Sequence, residues 1–291
     1  MFAGTIAAII TPFRKDGSID EDALRRLVTF QEEEGADAVA PCGSTGESAT
    51  LSVEEHVRVI DIAVDQAKKA KIIAGAGSNS TSEAILLSKH VEDTGADAVL
   101  SISPYYNKPT QEGIFMHYKA ISEAINIPLM IYNVPGRTSS NIMSETVLKL
   151  AELPGIDGIK EAGGDFKQIR DIVENRPKGF SVLSGDDMLT QRMMEIGCDG
   201  TVSVASNCVP GLISEMVGMC SSGNMDGARK IHERLTPLFD ALFCETNPIP
   251  VKYVMAKMGF GSGALRLPLT PLTVQNQNYV DTVMNDLGLW D

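Results

Sequence analysis

The sequence predicts an α/β protein, a (β/α)8 TIM barrel followed by a C-terminal helical extension, and three observations carry this prediction. Short apolar runs rich in β-branched residues recur through the first two-thirds of the 291 residues, each the length of a strand buried on both faces. Segments with helical periodicity separate these runs. One sequence motif at the joint between helix and strand is repeated along the chain. Strands and helices that alternate in this way favour a parallel sheet closed into a barrel.

The predicted strands are short and regularly spaced. They are Thr5–Ile10, Ala36–Pro41, Ile72–Ala76, Ala98–Ser101, Leu129–Asn133, Asp157–Lys160, Ser181–Ser184 and Gly200–Val204. The rival arrangement is an open doubly wound sheet, which needs a phosphate-binding fingerprint after its first strand. Thr11, Pro12 and Phe13 offer no such fingerprint, so the closed barrel is favoured.

Helices are predicted between the strands and again at the end of the chain. Those between strands include Asp20–Glu34, Val53–Lys69, Glu83–Glu92, Glu112–Ala124 and Phe166–Val173. Capping boxes are expected at three helix starts, at Ser52/Glu55, Ser80/Glu83 and Asp165/Gln168. The final helices are Ala228–Phe243, Val251–Met258 and Val274–Leu287. We therefore predict a catalytic barrel over residues 1–224 and a helical region over residues 225–291.

The repeated sequence motif lies at the connection between a helix and the strand that follows it. Gly-Ala-Asp-Ala-Val occupies positions 35–39 and returns at 95–99, with looser copies at 197–201 and 154–159. In each copy a glycine can adopt the left-handed conformation that ends a helix, and a strand follows at once. The motif therefore indicates that one helix-to-strand joint is repeated along the chain.

Charge and cysteine usage exclude several classes of partner. The chain has 25 basic and 38 acidic residues and a net charge of −13, which argues against nucleic acid or an anionic membrane as a partner. No apolar run approaches the roughly 20 residues that span a bilayer, and the first residues lack a signal-peptide pattern. Five scattered cysteines without a C-x-x-C pair are typical of a reducing compartment: Cys42, Cys198, Cys208, Cys220 and Cys244. We expect a cytoplasmic protein.

Lys160 is the most informative single residue, because active sites of such barrels lie where strands end. It closes the apolar run of the sixth predicted strand. Burial there favours the neutral amine and makes the nitrogen a competent nucleophile for a ketone. The alternative interpretation is a structural ion pair with Glu161 or another acid, and position alone leaves both open.

Three neighbouring loops offer groups that suit such a nucleophile. Tyr132 lies one strand away and can move protons, although a buried core tyrosine is the plainer interpretation. Ser44 and Thr45 lie in a glycine-flanked turn that is suited to binding a small carboxylate. The alternative interpretation is an ordinary turn with no binding role. Arg137 follows a Pro-Gly turn and can clamp a carboxylate, unless it is simply a solvated arginine.

The histidines do not indicate a metal site. His56, His90, His117 and His232 lack metal-ligand spacing and are expected at helix surfaces. We predict no metal and no organic cofactor.

Four motifs together resemble the dihydrodipicolinate synthase family of pyruvate-dependent class I aldolases. They are Gly43–Ser48, Pro104–Asn107, Tyr132–Thr138 and Gly158–Ala162. The likeness covers essentially the whole chain and includes Asn247–Lys252 and Leu265–Pro268 in the helical tail. Each motif alone is shared with relatives, but the combination is specific.

The resemblance implies a mechanism and its residues. Lys160 would form a Schiff base with pyruvate, and Thr45, Tyr132 and Tyr106 would relay protons. The resulting enamine would attack L-aspartate 4-semialdehyde, a step of diaminopimelate and lysine biosynthesis. Arg137 would bind the carboxylate of the semialdehyde. Residues that would line the pyruvate pocket are Ser44, Thr45, Gly185 and Val202.

The resemblance also implies partners. Tyr106 is offered across a subunit interface in the family, which implies a homodimeric active unit doubled to a homotetramer. L-lysine is a feedback inhibitor of many members and binds at the dimer interface. The matching positions are Ser48, Ala49, His56, Asn79, Glu83 and Tyr105. Val53 stands where sensitive enzymes often carry a second histidine.

Two other functions are weighed beside this one. N-acetylneuraminate lyase and 2-keto-3-deoxy-sugar-acid aldolases share the lysine and the tyrosine, and they often have a serine like Ser44. Arg137 favours the synthase, because sugar-acid lyases generally lack it. A catalytically idle barrel would have lost Lys160, Tyr132 or Thr45, and all three are present.

Overall fold

A computed structural model describes residues 2–290 as a closed barrel of eight parallel strands in chain order, with β1 paired to β8. The strands are β1 Gly4–Ala8, β2 Ala38–Ala40, β3 Lys71–Gly75, β4 Ala98–Ile102, β5 Leu129–Asn133, β6 Ile156–Glu161, β7 Ser181–Ser184 and β8 Gly200–Ser203. The predicted (β/α)8 barrel is therefore confirmed.

Helices surround the strands and continue beyond them. They are α1 Glu21–Glu33, α2 Val53–Gln66, α3 Thr81–Asp93, α4 Gln111–Ser122, α5 Pro135–Thr138, α6 Ser144–Ala151, α7 Phe166–Asn175, α8 Thr190–Glu195, α9 Pro210–Ser221, α10 Met225–Leu242, α11 Ile249–Lys257 and α12 Val274–Asp286. The C-terminal helical extension is confirmed as α10 to α12. The division of the chain into two regions at residue 224 stays a prediction.

The repeated sequence motif has a structural role, because it bonds to the strand adjacent to the one that it precedes. Gly35 and its counterparts Gly95, Gly155 and Gly197 all adopt the left-handed conformation, with φ between 81° and 102°. Asp37 then accepts a hydrogen bond of 2.8 Å from the backbone of Thr5 on the adjacent strand. The same bond forms from Ile72 to Asp97 and from Val182 to Asp199. The joints at Gly35, Gly95 and Gly197 thus end a helix and also fix the start of the neighbouring strand.

Strand ends differ from the prediction by one or two residues. β1 ends at Ala8 rather than Ile10, because the backbone N–H of Ile10 donates to the side chain of Asn207 at 3.0 Å instead of joining the ladder. β2 keeps only three residues of the predicted run. Side-chain acceptors that replace ladder bonds are not visible in a local apolar pattern.

Only one predicted capping box is complete. Ser52 and Glu55 bond to each other's backbone as expected. The box at Ser80 is wrong, because the Glu83 carboxylate accepts from the Ser78 hydroxyl and Ser80 caps nothing. Asp165 does cap α7, but Gln168 turns toward Asn141, Ile142 and Glu161 instead of returning to the cap.

Side chains of the strands alternate between two layers. Those inside the barrel form a small apolar cluster that includes Met130, Tyr132 and Val202. Those outside pack against the helices in a much larger core that includes Leu129 and Ile131. The alternation along β5 therefore places Tyr132 inside the barrel.

The helices after the barrel return to its mouth. α10 packs on α9 and α12. The segment before α11 and the segment after it reach the turn at residues 43–48, through Asn247 and Arg266 respectively. Within residues 2–290, no helix has the length and apolar character that crossing a membrane requires.

Candidate active site

Lys160 lies on β6 beside Tyr132 of β5, with which it is in register, and its side chain is buried. Its Nζ lies 4.2 Å from the centroid of the Tyr132 ring. Burial lowers the pKa of this amine to about 8; the charge of Asp187 opposes the shift and that of Arg137 adds to it. A substantial fraction of Lys160 is therefore neutral and nucleophilic near physiological pH.

The alternative ion pair with Glu161 does not form. Glu161 follows Lys160 on β6 and so points to the other face of the strand. Its carboxylate accepts from Asn133, from the backbone of Gly163 at 2.6 Å and from Gln168. No acid of residues 2–290 lies within ion-pair distance of the Lys160 amine. Lys160 is thus a buried lysine without a fixed counter-ion.

Asp187 is the acid that acts on Lys160 from a distance. It is buried after β7, and its Oδ2 accepts from the backbone of Val204 at 3.0 Å and of Ala205 at 2.8 Å. Burial raises its pKa, against these hydrogen bonds. The local sequence around Asp187 does not indicate this role, although the residue stands at a strand end, because its partners lie just after the following strand.

Gly185 makes room for the lysine side chain. A Cβ atom at this position would lie 2.8 Å from Cε of Lys160 and 2.9 Å from Cβ of Ala162. Only glycine therefore lets the side chain of Lys160 pass at this height. The structure places Gly185 against Lys160, and its role in lining a pyruvate pocket stays a prediction.

Tyr132 has a phenol that stays protonated. Burial raises its pKa to about 12, against the charge of Arg137 and an interaction with the Ser44 side chain. A phenol with such a pKa does not act as a free base. It can pass a proton on while it receives another, which is the behaviour of a relay.

Thr45 is buried and held by a residue from the end of the chain. Nδ2 of Asn247 donates to Oγ1 of Thr45 at 3.0 Å. Because the oxygen accepts this bond, the Thr45 hydroxyl proton is left to donate elsewhere. Sequence analysis gave Asn247 no role, because its partner lies 202 positions away in the chain.

Arg137 projects from the short helix α5 directly after β5. Its Nη2 donates to the backbone oxygen of Asn247 at 3.1 Å, and the residue is otherwise exposed. It is therefore an oriented arginine at the rim of the barrel rather than a freely solvated one. The remaining donors of its guanidinium are available to a carboxylate.

A cavity of about 470 Å³ extends from the barrel mouth to the protein surface. Ser44, Tyr132 and Arg137 line it. Lys160 and Thr45 are not in its lining but contact lining residues, namely Tyr132 and Asn247. Val202 and Gly185 also lie outside the lining; Val202 is packed inside the barrel with Tyr132. The cavity is large enough for a small ligand.

Most of the predicted lysine-site residues line the same cavity. These are Ser48, Ala49, His56, Glu83 and Tyr105. Asn79 is outside the lining but donates to the backbone oxygen of Tyr105 at 3.0 Å. Five of the six positions therefore line the cavity, Asn79 contacts one of the five, and Val53 lines the cavity as well.

Tyr106 is the one predicted catalytic residue that a single chain does not bring to the site. Its side chain is 88% exposed, and its backbone has a left-handed φ of 74°. Its backbone N–H donates to Thr138 at 3.3 Å. Tyr106 is therefore exposed to solvent and is not among the residues that line the cavity of its own chain.

Two histidines depart from the expectation that they lie at helix surfaces. His56 and His117 are buried, and burial lowers the pKa of both. Nε2 of His56 bonds the backbone oxygen of Gly75 at 2.7 Å, and Nδ1 of His117 bonds the Thr81 hydroxyl. Across residues 2–290, no group of three or more possible ligands is gathered as a metal would require.

Comparison with known proteins places this chain in a family. A sequence model of the Dihydrodipicolinate synthetase family matches residues 1–287. The chain belongs to this family. It is 51% identical to the 4-hydroxy-tetrahydrodipicolinate synthase of Syntrophus aciditrophicus (strain SB) over 290 residues, covering 99% of each chain. The predicted family is confirmed, and with it the predicted enzyme class, a lyase.

Solved structures of the family superpose closely on the chain. The chloride-inhibited dihydrodipicolinate synthase of Acinetobacter baumannii, complexed with pyruvate, gives a TM-score of 0.97 at 43% identity, covering 99% of this chain and 100% of the other. The enzyme of Cyanidioschyzon merolae with lysine bound gives a TM-score of 0.97 at 40% identity, covering 99% of both chains.

Proposed function

We propose that this chain condenses pyruvate with L-aspartate 4-semialdehyde to form 4-hydroxy-tetrahydrodipicolinate, with Lys160 as the Schiff-base residue. The observation that carries the proposal is a buried lysine that has no counter-ion among residues 2–290 and a pKa lowered to about 8, beside a protonated tyrosine at the barrel mouth. A buried amine of this kind is costly in a barrel unless it is used.

The first half of the reaction takes place on pyruvate. The neutral Nζ of Lys160 attacks C2 of pyruvate, and the carbinolamine loses its hydroxyl as water to give an imine. Loss of a methyl proton converts the imine to an enamine. Tyr132 and Thr45 are suited to relay these protons, since the Tyr132 phenol stays neutral and the Thr45 hydroxyl is free to donate.

The second half joins the two substrates. The enamine carbon attacks the aldehyde carbon of the semialdehyde, and the alkoxide that forms takes up a proton. The amino group of the semialdehyde then attacks C2 and displaces Lys160, which closes the ring and frees the amine. Arg137 supports binding of the semialdehyde carboxylate, because its guanidinium is oriented by Asn247 at the rim.

The experiment is turnover of pyruvate with L-aspartate 4-semialdehyde, coupled to the following reductase and read as loss of NADPH. Rapid turnover is expected. A protein that traps pyruvate with borohydride but does not turn over this pair would instead be a sugar-acid lyase or aldolase. No observation in the structure favours that alternative.

The assembly, regulation and location extend the proposal. We propose a homodimeric active unit, doubled to a homotetramer, in which Tyr106 completes the partner's site, and this is supported by the exposure of Tyr106.

We propose feedback inhibition by L-lysine, supported by the cavity lined by Ser48, His56 and Glu83. We propose a cytoplasmic location, in keeping with five free cysteines. A lysine titration without inhibition up to millimolar concentration would contradict the regulatory part.

A further inference from the structure

A second buried lysine lies next to the active-site turn. Lys252 of α11 forms an ion pair with Glu47, and both side chains are only 1% exposed. Glu47 belongs to the turn at residues 43–48 that carries Ser44 and Thr45. The mechanism proposed above uses neither Lys252 nor Glu47, although a buried ion pair is costly to desolvate and gives little net stability.

Glu47 occupies an unusual backbone conformation that its carboxylate supports. Its φ is 52°, in the left-handed region that residues with side chains rarely adopt. Oε1 is bound by Lys252, and Oε2 accepts from the backbone N–H of Arg266 at 3.0 Å. The carboxylate therefore fixes the turn to two separate segments of the C-terminal region.

The C-terminal region meets the same turn a second time, at Thr45. Asn247, which donates to the Thr45 hydroxyl, lies five residues before Lys252 in the chain. Lys252 and Asn247 therefore contact the turn at Glu47 and at Thr45, from one continuous segment. The Phe13 ring packs beneath, with Nζ of Lys252 3.9 Å from its centroid and Cζ of Arg266 4.5 Å from it.

We propose that the ion pair between Lys252 and Glu47 is a positioning pair, which holds the turn so that the Thr45 hydroxyl serves proton transfer at the pyruvate imine. This inference rests on the proposed Schiff base at Lys160. Proton relays depend on sub-ångström placement, so a small shift of the turn slows proton transfer without preventing imine formation. Lys252 and Glu47 are positioning residues and touch no reacting atom.

The test separates imine formation from the proton transfer that follows. Borohydride trapping of pyruvate reports the imine. Exchange of the pyruvate methyl protons in D2O, followed by NMR, reports the step from imine to enamine and requires no semialdehyde. The variant is Lys252→Met combined with Glu47→Gln, which removes both charges together and leaves neither one buried alone.

The double variant is expected to trap pyruvate with an unchanged half-saturation concentration, while its exchange rate falls roughly ten- to hundredfold. Lys257→Met is the matched control, because Lys257 lies on the same helix and pairs with Asp281 at the surface. It should exchange at the parental rate. Circular dichroism establishes that the double variant is folded.

Two results would overturn the inference: a folded double variant that exchanges at the parental rate, or one in which trapping and exchange fall together. Should the double variant not fold, Glu47→Asp keeps the charge and shortens its reach, and parental exchange in that variant would also overturn it. A parent that exchanges but does not turn over with the semialdehyde refutes only the proposed condensation. A parent that traps no pyruvate refutes both.

Discussion

Lys160 and Lys252 are buried lysines whose pKa is lowered by burial to about 8 in each case, yet their surroundings assign them different chemistry. Lys252 has a carboxylate partner, Glu47, which favours its protonated form against the effect of burial and holds the amine in place. Lys160 has a tyrosine ring beside it and no ion-pair partner within residues 2–290. A lowered pKa alone therefore does not identify the nucleophile; the surroundings of the amine do.

The pH dependence of imine formation tests the electrostatics of Lys160. Because the folded-state pKa is about 8, the rate of imine formation should rise as pH rises through about 8 and then level off, as the amine loses its proton. Asp187→Asn removes a carboxylate that favours the protonated amine, so the rising limb should move to lower pH. Stopped-flow trapping at a series of pH values measures it.

Asp186→Asn is the matched control for this prediction. Asp186 is the neighbouring carboxyl, yet it is not among the groups that shift the pKa of Lys160. Its substitution should leave the rising limb in place. A limb that stays fixed in Asp187→Asn, or moves equally in both variants, contradicts the electrostatic assignment.

Gly185→Ala tests the packing around the same residue. The added methyl would lie within 3.0 Å of two atoms of Lys160 and 2.9 Å from Ala162, so the lysine must move. We expect pyruvate trapping to slow by roughly a hundredfold, since about 1 Å of displacement costs that much, while the fold is retained. In Gly218→Ala on α9 the new Cβ meets nothing within 4 Å, and parental trapping is expected. Equal trapping in both variants would refute the packing role.

At the scale of elements, local patterns predicted the strands and helices but not the contacts between distant segments. The apolar run ending at Lys160 placed this residue correctly in β6. The pairing of Lys252 with Glu47 was missed, although a lysine between apolar residues in the first turn of α11 was a usable signal. Its partner is 205 positions away, and no local pattern encodes that separation. The box at Ser80 failed because a nearby hydroxyl competed for Glu83.

Helix α5 gives a prediction that separates the two substrates. Arg137→Ala should spare pyruvate trapping and raise KM for the semialdehyde, because we propose that the arginine binds the carboxylate of the second substrate. Loss of hydrogen bonds to a charged group costs about 1.5–3 kcal/mol, roughly ten- to hundredfold in KM. Steady-state kinetics with each substrate varied in turn measures it. A rise confined to KM for pyruvate would contradict this role.

At the scale of the whole molecule, the chain gathers most of the proposed catalytic residues at the barrel mouth and leaves Tyr106 exposed. The C-terminal region closes over the barrel mouth through Asn247 and Arg266. Tyr106 remains exposed at 88%. The assignment of Tyr106 to a partner's site comes from the family resemblance. The geometry of the interface depends on contacts between two chains, which no local pattern of one sequence encodes.

Subunit mixing tests the shared site. Lys160→Ala and Tyr106→Phe chains are each expected to be nearly inactive alone. A hybrid dimer of the two has one site with both Lys160 and Tyr106, so random mixing should restore about a quarter of the parental activity. The measurement is turnover after the two variants are dissociated together and reassembled. No recovery in a demonstrated hybrid would contradict the shared site.

The proposed mechanism depends above all on the identity of the nucleophile. Borohydride trapping with peptide mapping identifies that residue. The protein is reduced in the presence of pyruvate, digested and analysed by mass spectrometry, with Lys160→Ala treated in parallel. We predict a single carboxyethyl adduct on Lys160, absent from the variant. An adduct on Lys252 or another lysine, or trapping that persists in Lys160→Ala, would contradict the account.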